Sequence, residues 1–119
     1  MRLNHLDLPT SDLAATRAFF VEHLDFSHER TLGQDGLSIL RDSAGLVLVL
    51  SRLQREGAQA FPKGFHIGFH FAKEAEVHAL HARLSGAGLS IPAPSVQRGA
   101  LAFYLEAPGD ILIEVAHRP

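Results

Sequence analysis

Alternating apolar and polar positions divide the chain into short strands and two helical stretches. The pattern is clearest over residues 64–71, where Phe65, Ile67, Phe69 and Phe71 fall on one face of a strand and His66, Gly68 and His70 on the other. The first face is expected to pack on a core. The second carries two imidazoles around a glycine, which suits a cavity wall, where a missing side chain leaves the backbone open to approach. Residues 2–8 read as a first strand closed by Pro9, with Leu6 and Leu8 on one face and Leu3, His5 and Asp7 on the other. Thr10 or Ser11 is expected to cap the following helix. Leu13, Phe20 and Leu24, with Thr16 and Phe19 between them, carry that helix to His23 or Leu24. Asp25 is a candidate for a left-handed turn at its end. Short strands follow near 27–31, 37–40 and 46–51, separated by turn-like residues 33–36 and 42–45.

Residues 52–63 are polar with Gly and Pro and read as a linker, after which the order repeats. The 65–71 strand leads into a helix over about 73–84, with Val77, Leu80 and Leu84 on its buried stripe and Gly86 or Gly88 as its stop. A brief strand at 89–91, a loop at 92–95, and strands at 101–106 and 111–116 complete the second half, with a turn at 107–110. The chain therefore reads as one domain, 1–119, built from two βαβββ modules at about 1–51 and 64–119. His5 and His66, 61 residues apart, hold the same place in each module, and the turn glycines Gly45 and Gly109 also correspond. The fold class is α+β, the two βαβββ modules forming a cupped mixed sheet with helices outside.

Composition narrows the partners. The chain has 119 residues, 46% hydrophobic and 20% charged, enough for one hydrophobic core without staples. A net charge of −2 provides no broad basic field, so neither nucleic acid nor an anionic membrane is an expected partner. There is no cysteine, which excludes disulfides, zinc–thiolate sites and a cysteine nucleophile. The longest apolar run, residues 46–50, is far too short to span a bilayer, and no basic-then-apolar leader opens the sequence. A cytoplasmic, soluble protein is expected.

In the last strand Ile111, Ile113 and Val115 form the core face, so Leu112 and Glu114 point the other way. His5, His66 and Glu114 thus lie on the non-core faces of strands in the two halves. If those faces meet in one curved sheet, two imidazoles and a carboxylate converge, a set that leaves metal positions open for substrate or water. The plainer reading makes each histidine a strand-end residue with no ligand role. Tyr104 alternates with Phe103 and Leu105, so its hydroxyl either reaches the cavity or is a satisfied structural group. Asp7 could orient an imidazole or stand at an exposed strand end. His70 is placed at the cavity rim, and His23, His28, His78, His81 and His117 are read as solvated.

Several short pieces in a fixed order carry a family likeness. They are Leu3-Asn4-His5-Leu6, Ser11-Asp12-Leu13, Ala18-Phe19-Phe20 with Leu24-Asp25-Phe26, His66-Ile67-Gly68-Phe69, Phe103-Tyr104-Leu105, and Pro108-Gly109-Asp110-Ile111-Leu112-Ile113-Glu114. Through them the chain resembles the vicinal oxygen chelate superfamily, which includes glyoxalase I, extradiol dioxygenases, and fosfomycin- and bleomycin-resistance proteins. The resemblance implies metal ligation by His5, His66 and Glu114. It also implies a small-molecule substrate bound through adjacent oxygens, and a homodimer. In small members modules from different subunits often share one site, an exchange that the 52–63 linker is long enough to allow but does not demand. Fe(II) or Mn(II) is favoured as the metal, with Zn(II) or Ni(II) as alternatives. Glyoxalase I-like members carry a further acid on the last strand of the first module; here that position is Leu50, or Val49 under a shifted gap, and neither can bind a hard cation or take a proton. Fosfomycin-modifying members need cations around a phosphonate, and Arg98 is the only one near the matching loop. Dioxygenase-like or addition-type chemistry is thus the leading expectation, with Tyr104 as the catalytic candidate. The alternative is a metal-free, ligand-sequestering protein of the bleomycin-resistance kind.

Overall fold

The computed structural model describes residues 1–53 and 61–119; most of the expected linker, residues 54–60, lies outside them. The elements are β1 (His5–Thr10), α1 (Leu13–His23), β2 (Ser27–Leu32), β3 (Leu37–Arg41), β4 (Val47–Arg52), β5 (His66–His70), α2 (Glu74–Gly86), β6 (Ser95–Gln97), β7 (Ala100–Ala107) and β8 (Ile111–His117). They form the two βαβββ modules of an α+β fold, each with its own four-stranded sheet. The chain divides into two compact units, Met1–Pro62 with Ala107–Asp110, and Lys63–Glu106 with Ile111–Pro119.

In the first unit the strand order is β1-β4-β3-β2, with β1 parallel to β4 and the remaining pairs antiparallel. A parallel first pair requires a crossover, which α1 supplies. Leu8 opposes Leu50, and Leu40 opposes Leu48, so one face of the sheet is continuous and apolar. Leu13, Phe19 and Phe20 of α1 are buried with it, and Phe26 meets Phe20 edge to face at 5.4 Å. Pro9 does not close β1. It pairs with Ser51 inside the strand, because β1 is an edge and the missing N–H costs no ladder bond there. The helix cap is Asp12 rather than Thr10 or Ser11; its carboxylate accepts the Ala15 N–H at 3.1 Å. Asp25 takes the left-handed conformation, φ 59°. At the far edge β2 is almost wholly exposed, carries Glu29 and Arg30, and is bulged between His28 and Arg30.

Thr10 is occupied elsewhere. It is fully buried beside Thr16, the two hydroxyls 2.7 Å apart. The single Thr16 hydroxyl hydrogen is shared between the carbonyls of Asp12 at 2.6 Å and Pro108 at 2.7 Å, which leaves Thr10 to donate to Thr16 Oγ1 and to accept the Asp12 N–H at 3.2 Å. Both buried hydroxyls are satisfied, as burial demands. The Pro108 carbonyl belongs to the β7–β8 turn, and the next residue, Gly109, has φ +87°. A Cβ on Gly109 would land on the Thr10 hydroxyl and 2.5 Å from that of Thr16.

In the second unit the order is β5-β8-β7-β6, again with the first and last strands parallel. Val77, Leu80 and Leu84 of α2 are buried, as are Phe103 and Leu105 of β7 and Ile111, Ile113 and Val115 of β8. The helix runs through Gly86, and Gly88 supplies the left-handed residue beyond it. The expected strand at 89–91 does not form. Instead Ser95–Gln97, within and just after the expected loop, pairs with Ala100–Ala102. The supposed core face of β5 is only half-buried at Ile67, Phe69 and Phe71, and Phe65 is 42% exposed, because β5 is an edge strand and Phe65 precedes it. His81 is not simply solvated. It lies edge to face with Phe103 at 5.3 Å, with Nε2 3.2 Å from the Ile91 carbonyl.

The threonine pair makes a strict demand on the turn. Gly109→Ala combines a left-handed Cβ penalty with overpacking of a filled site, a loss of about 2–4 kcal/mol. Urea denaturation should show the midpoint falling at unchanged slope, whereas Gly45→Ala, with open space around its Cβ position, should incur only the conformational part.

Candidate metal and substrate site

Strand register assembles the site. In the parallel β5–β8 pair His66 opposes Leu112 and Gly68 opposes Glu114. A Cβ on Gly68 would be 3.6 Å from Glu114 Oε2, so the glycine lies directly beneath the carboxylate. His66 Nε2 stands 3.3 Å from the same oxygen. On the other side of the ring, His66 Nδ1 is 2.9 Å from the Gly64 carbonyl. A carbonyl only accepts, so Nδ1 carries the hydrogen, and in the neutral ring Nε2 presents a lone pair to a carboxylate that also has only lone pairs. Such a pair is completed either by a second imidazole proton or by a cation.

Tyr104 completes the cluster. Its ring meets His66 edge to face at 5.7 Å, and its hydroxyl hydrogen-bonds to Glu114. Partial burial pushes the phenol above its ordinary value, and the Glu114 hydrogen bond and charge add to the rise against the opposing pull of Arg98 and Arg118. Tyr104 is therefore a hydrogen-bond donor throughout the neutral range. These groups open on a cavity of about 380 Å³ lined by His66, Gln97, Arg98, Tyr104, Glu114 and Arg118. Arg118 went unnoticed in the sequence because it follows the last strand, yet it shares the parity of Glu114 and Ala116, and that signal was available. Arg98 is thus not the only cation at hand.

His5 belongs to the first unit, where its Nδ1 is 2.7 Å from Asn4 Oδ1, so it too presents Nε2 outward. Among the described residues no group of three or more His, Cys, Asp or Glu is placed to hold a metal ion. The structure brings together two of the expected ligands, His66 and Glu114. His70 has a different task, its Nε2 accepting the Arg118 backbone N–H at 2.8 Å. Asp7 accepts from Ser51 at 2.5 Å rather than from an imidazole. His117 is likewise engaged, its Nδ1 3.0 Å from the Phe71 carbonyl.

The sequence matches the family model described as the Glyoxalase/Bleomycin resistance protein/Dioxygenase superfamily over residues 2–115. The chain belongs to this superfamily. A solved structure of a possible glyoxalase from Bacillus cereus is 33% identical, with a TM-score of 0.84 and 98% of each chain covered. A glyoxylase/bleomycin resistance protein/dioxygenase domain from Frankia sp. EAN1pec shares the fold at 20% identity and TM-score 0.82, covering 100% of this chain and 98% of that one. So does a lactoylglutathione lyase from Agrobacterium tumefaciens, at 17% identity and TM-score 0.78, covering 98% and 92%. No curated protein matches the sequence. No helix among the described residues is long and apolar enough to cross a membrane.

Within this vicinal oxygen chelate fold, register also settles which residue of the first module matches Glu114. His5 opposes Val47 and Asp7 opposes Val49, as His66 opposes Leu112 and Gly68 opposes Glu114. Val49 is the equivalent position, and Leu50 is a fully buried core residue. Leu50→Glu should therefore cost several kcal/mol or fail to fold, whereas Val49→Glu should leave a folded protein, as read by thermal melts of the two variants. Tyr104 offers a second check, being the only tyrosine in a chain without tryptophan. Phenolate absorbance should titrate above the free value of about 10, and Glu114→Gln should lower that midpoint. A folded-state value raised this way contributes stability at neutral pH that disappears as pH climbs through it.

Proposed function

We propose that the chain is a small metalloenzyme of the vicinal oxygen chelate superfamily, binding its substrate through adjacent oxygens at a divalent metal held by His5, His66 and Glu114. The observation supporting this is the pair of facing lone-pair atoms, His66 Nε2 and Glu114 Oε2, 3.3 Å apart, with the imidazole hydrogen already committed to Gly64. Nitrogen and carboxylate donors without thiolate suit Mn(II) or Fe(II), with Zn(II) or Ni(II) as alternatives. When bound, the metal supplies Lewis acidity or an oxygen-activating centre.

The chain's own residues do the rest. The Gly64 carbonyl fixes the His66 ring and keeps Nε2 bare. Tyr104, held protonated, donates to Glu114 in the free protein and can turn the same hydrogen toward a substrate oxygen, which makes it the catalytic candidate. With Val49 where a second acid would stand, the chain lacks the base for glyoxalase I isomerisation, and dioxygenase-like or addition-type chemistry follows. His5, on the first module, completes the ligand set through a homodimer with exchanged modules, His5 of the partner subunit joining His66 and Glu114.

Protein purified without chelator should carry one divalent metal per chain by atomic spectroscopy and show twice the chain mass by light scattering. His66→Ala and Glu114→Ala should each lose metal by more than the ~10–100-fold typical of removing a group that merely orients a ligand, while melting as folded proteins. Unchanged metal content in either variant rejects the ligand set. A metal-free wild type that still binds a small ligand favours sequestration in its place.

A further inference from the structure

The cavity beside His66 and Glu114 carries more positive charge than its ligand chemistry needs. Two of its six lining residues are arginines, and among the described residues neither guanidinium is in an ion pair. The one carboxylate in the lining, Glu114, is engaged with His66 and Tyr104. Backbone contacts place both residues. Arg118 is fixed by its backbone N–H on His70, and its Nη1 donates to the Arg98 carbonyl at 3.4 Å. The second guanidinium therefore reaches back to the loop that presents the first.

Arg98 occupies an unusual place for its type. Gln97 pairs with Ala100, which leaves Arg98 and Gly99 as a two-residue hairpin loop, and both have positive φ, 50° and 76°. A loop of that shape favours Asn or Gly at its first position, and a long side chain there is strained. Turn propensity did not select this arginine. Strain of this kind is retained where the side chain has work to do.

We propose that Arg98 and Arg118 form an oxyanion receptor, so that the ligand of this cavity is a small organic acid whose carboxylate or phosphate group sits on the two guanidiniums. Planar guanidinium forks match both groups with paired, charge-assisted hydrogen bonds. Resting on the metal reading above, the rest of the ligand places its adjacent oxygens toward His66 and Glu114, which describes an acid oxygenated next to its anionic group. The anion site itself is present in the metal-free chain and can be tested there.

The test is an NMR titration of the ¹⁵N-labelled, metal-free protein at low salt with inorganic phosphate and, separately, glycolate. Saturable shifts are expected at the Gly99 and Arg118 amides. Arg98→Gln and Arg118→Gln should each weaken binding about tenfold, as loss of one charge-assisted pair requires, and Arg98→Lys should recover part of it. Glycolate binding more tightly than phosphate assigns a carboxylate, and the reverse order a phosphate. Glu114→Gln should keep or tighten anion binding while losing metal, which separates the two readings. Arginine-dependent anion binding in a protein that takes up no metal upholds the receptor and discards the metal reading. No saturable shift with either anion, or wild-type affinity in both glutamine variants, overturns the receptor whatever the metal result.

Discussion

Parallel pairing of the first and last strands of each module is the constraint on which everything else depends. It forces the intervening chain to cross over, and so calls for the helix that covers the apolar face. It also sets residues nearly fifty positions apart side by side on the opposite face. Gly68 and Glu114 are neighbours only because β5 and β8 run the same way in one register. A slip by one residue would turn Glu114 into the core and present Ile113 to the cavity. The apolar alternation of β8, buried at Ile111, Ile113 and Val115, makes that slip costly, so the packing face enforces the geometry of the chemical one.

The polar groups of the site are held by few anchors, nearly all from the backbone. Gly64 orients His66 through its carbonyl, Arg118 is placed through its own N–H, and the loop carbonyl of Arg98 receives the Arg118 guanidinium. The Gly64 and Arg98 carbonyls do not depend on the identity of neighbouring side chains, and only the Arg118 N–H relies on one, the His70 imidazole. The cavity lining can therefore change its charge or shape while the His66–Glu114 pair stays where strand pairing puts it, which is how one scaffold comes to host different chemistries.

Much of this was legible in the sequence. Period-two alternation set the faces of β5 and β8, and with them His66 and Glu114 on the non-core side, while for Tyr104 on β7 it left cavity and structural roles equally open. The repeat of element order showed the two modules. Element ends were less legible, because tertiary context decided them. Pro9 stays within β1 since that strand is an edge, and Thr10 leaves the helix cap to Asp12 because Thr16 and the Asp12 N–H occupy its hydroxyl. The β6 strand, three exposed residues without alternation, left no periodic trace. The offset between modules was ambiguous by one residue, and only the β1–β4 register distinguishes Val49 from Leu50.

The outer edges of the two sheets have a bearing on how the protein behaves when crowded. An unpaired strand is a template for other chains, and long, flat, apolar edges seed aggregates. Here β2 presents charged residues and a bulge that spoils its flatness, and β6 is too short to template more than three residues. These edges discourage runaway strand addition at one edge of each sheet. A concentrated solution, or a nascent chain whose second module is still on the ribosome, is protected by the same device. In the first module the β2 edge is blunted once β2 and β3 have paired, before His66 and Glu114 have been synthesised.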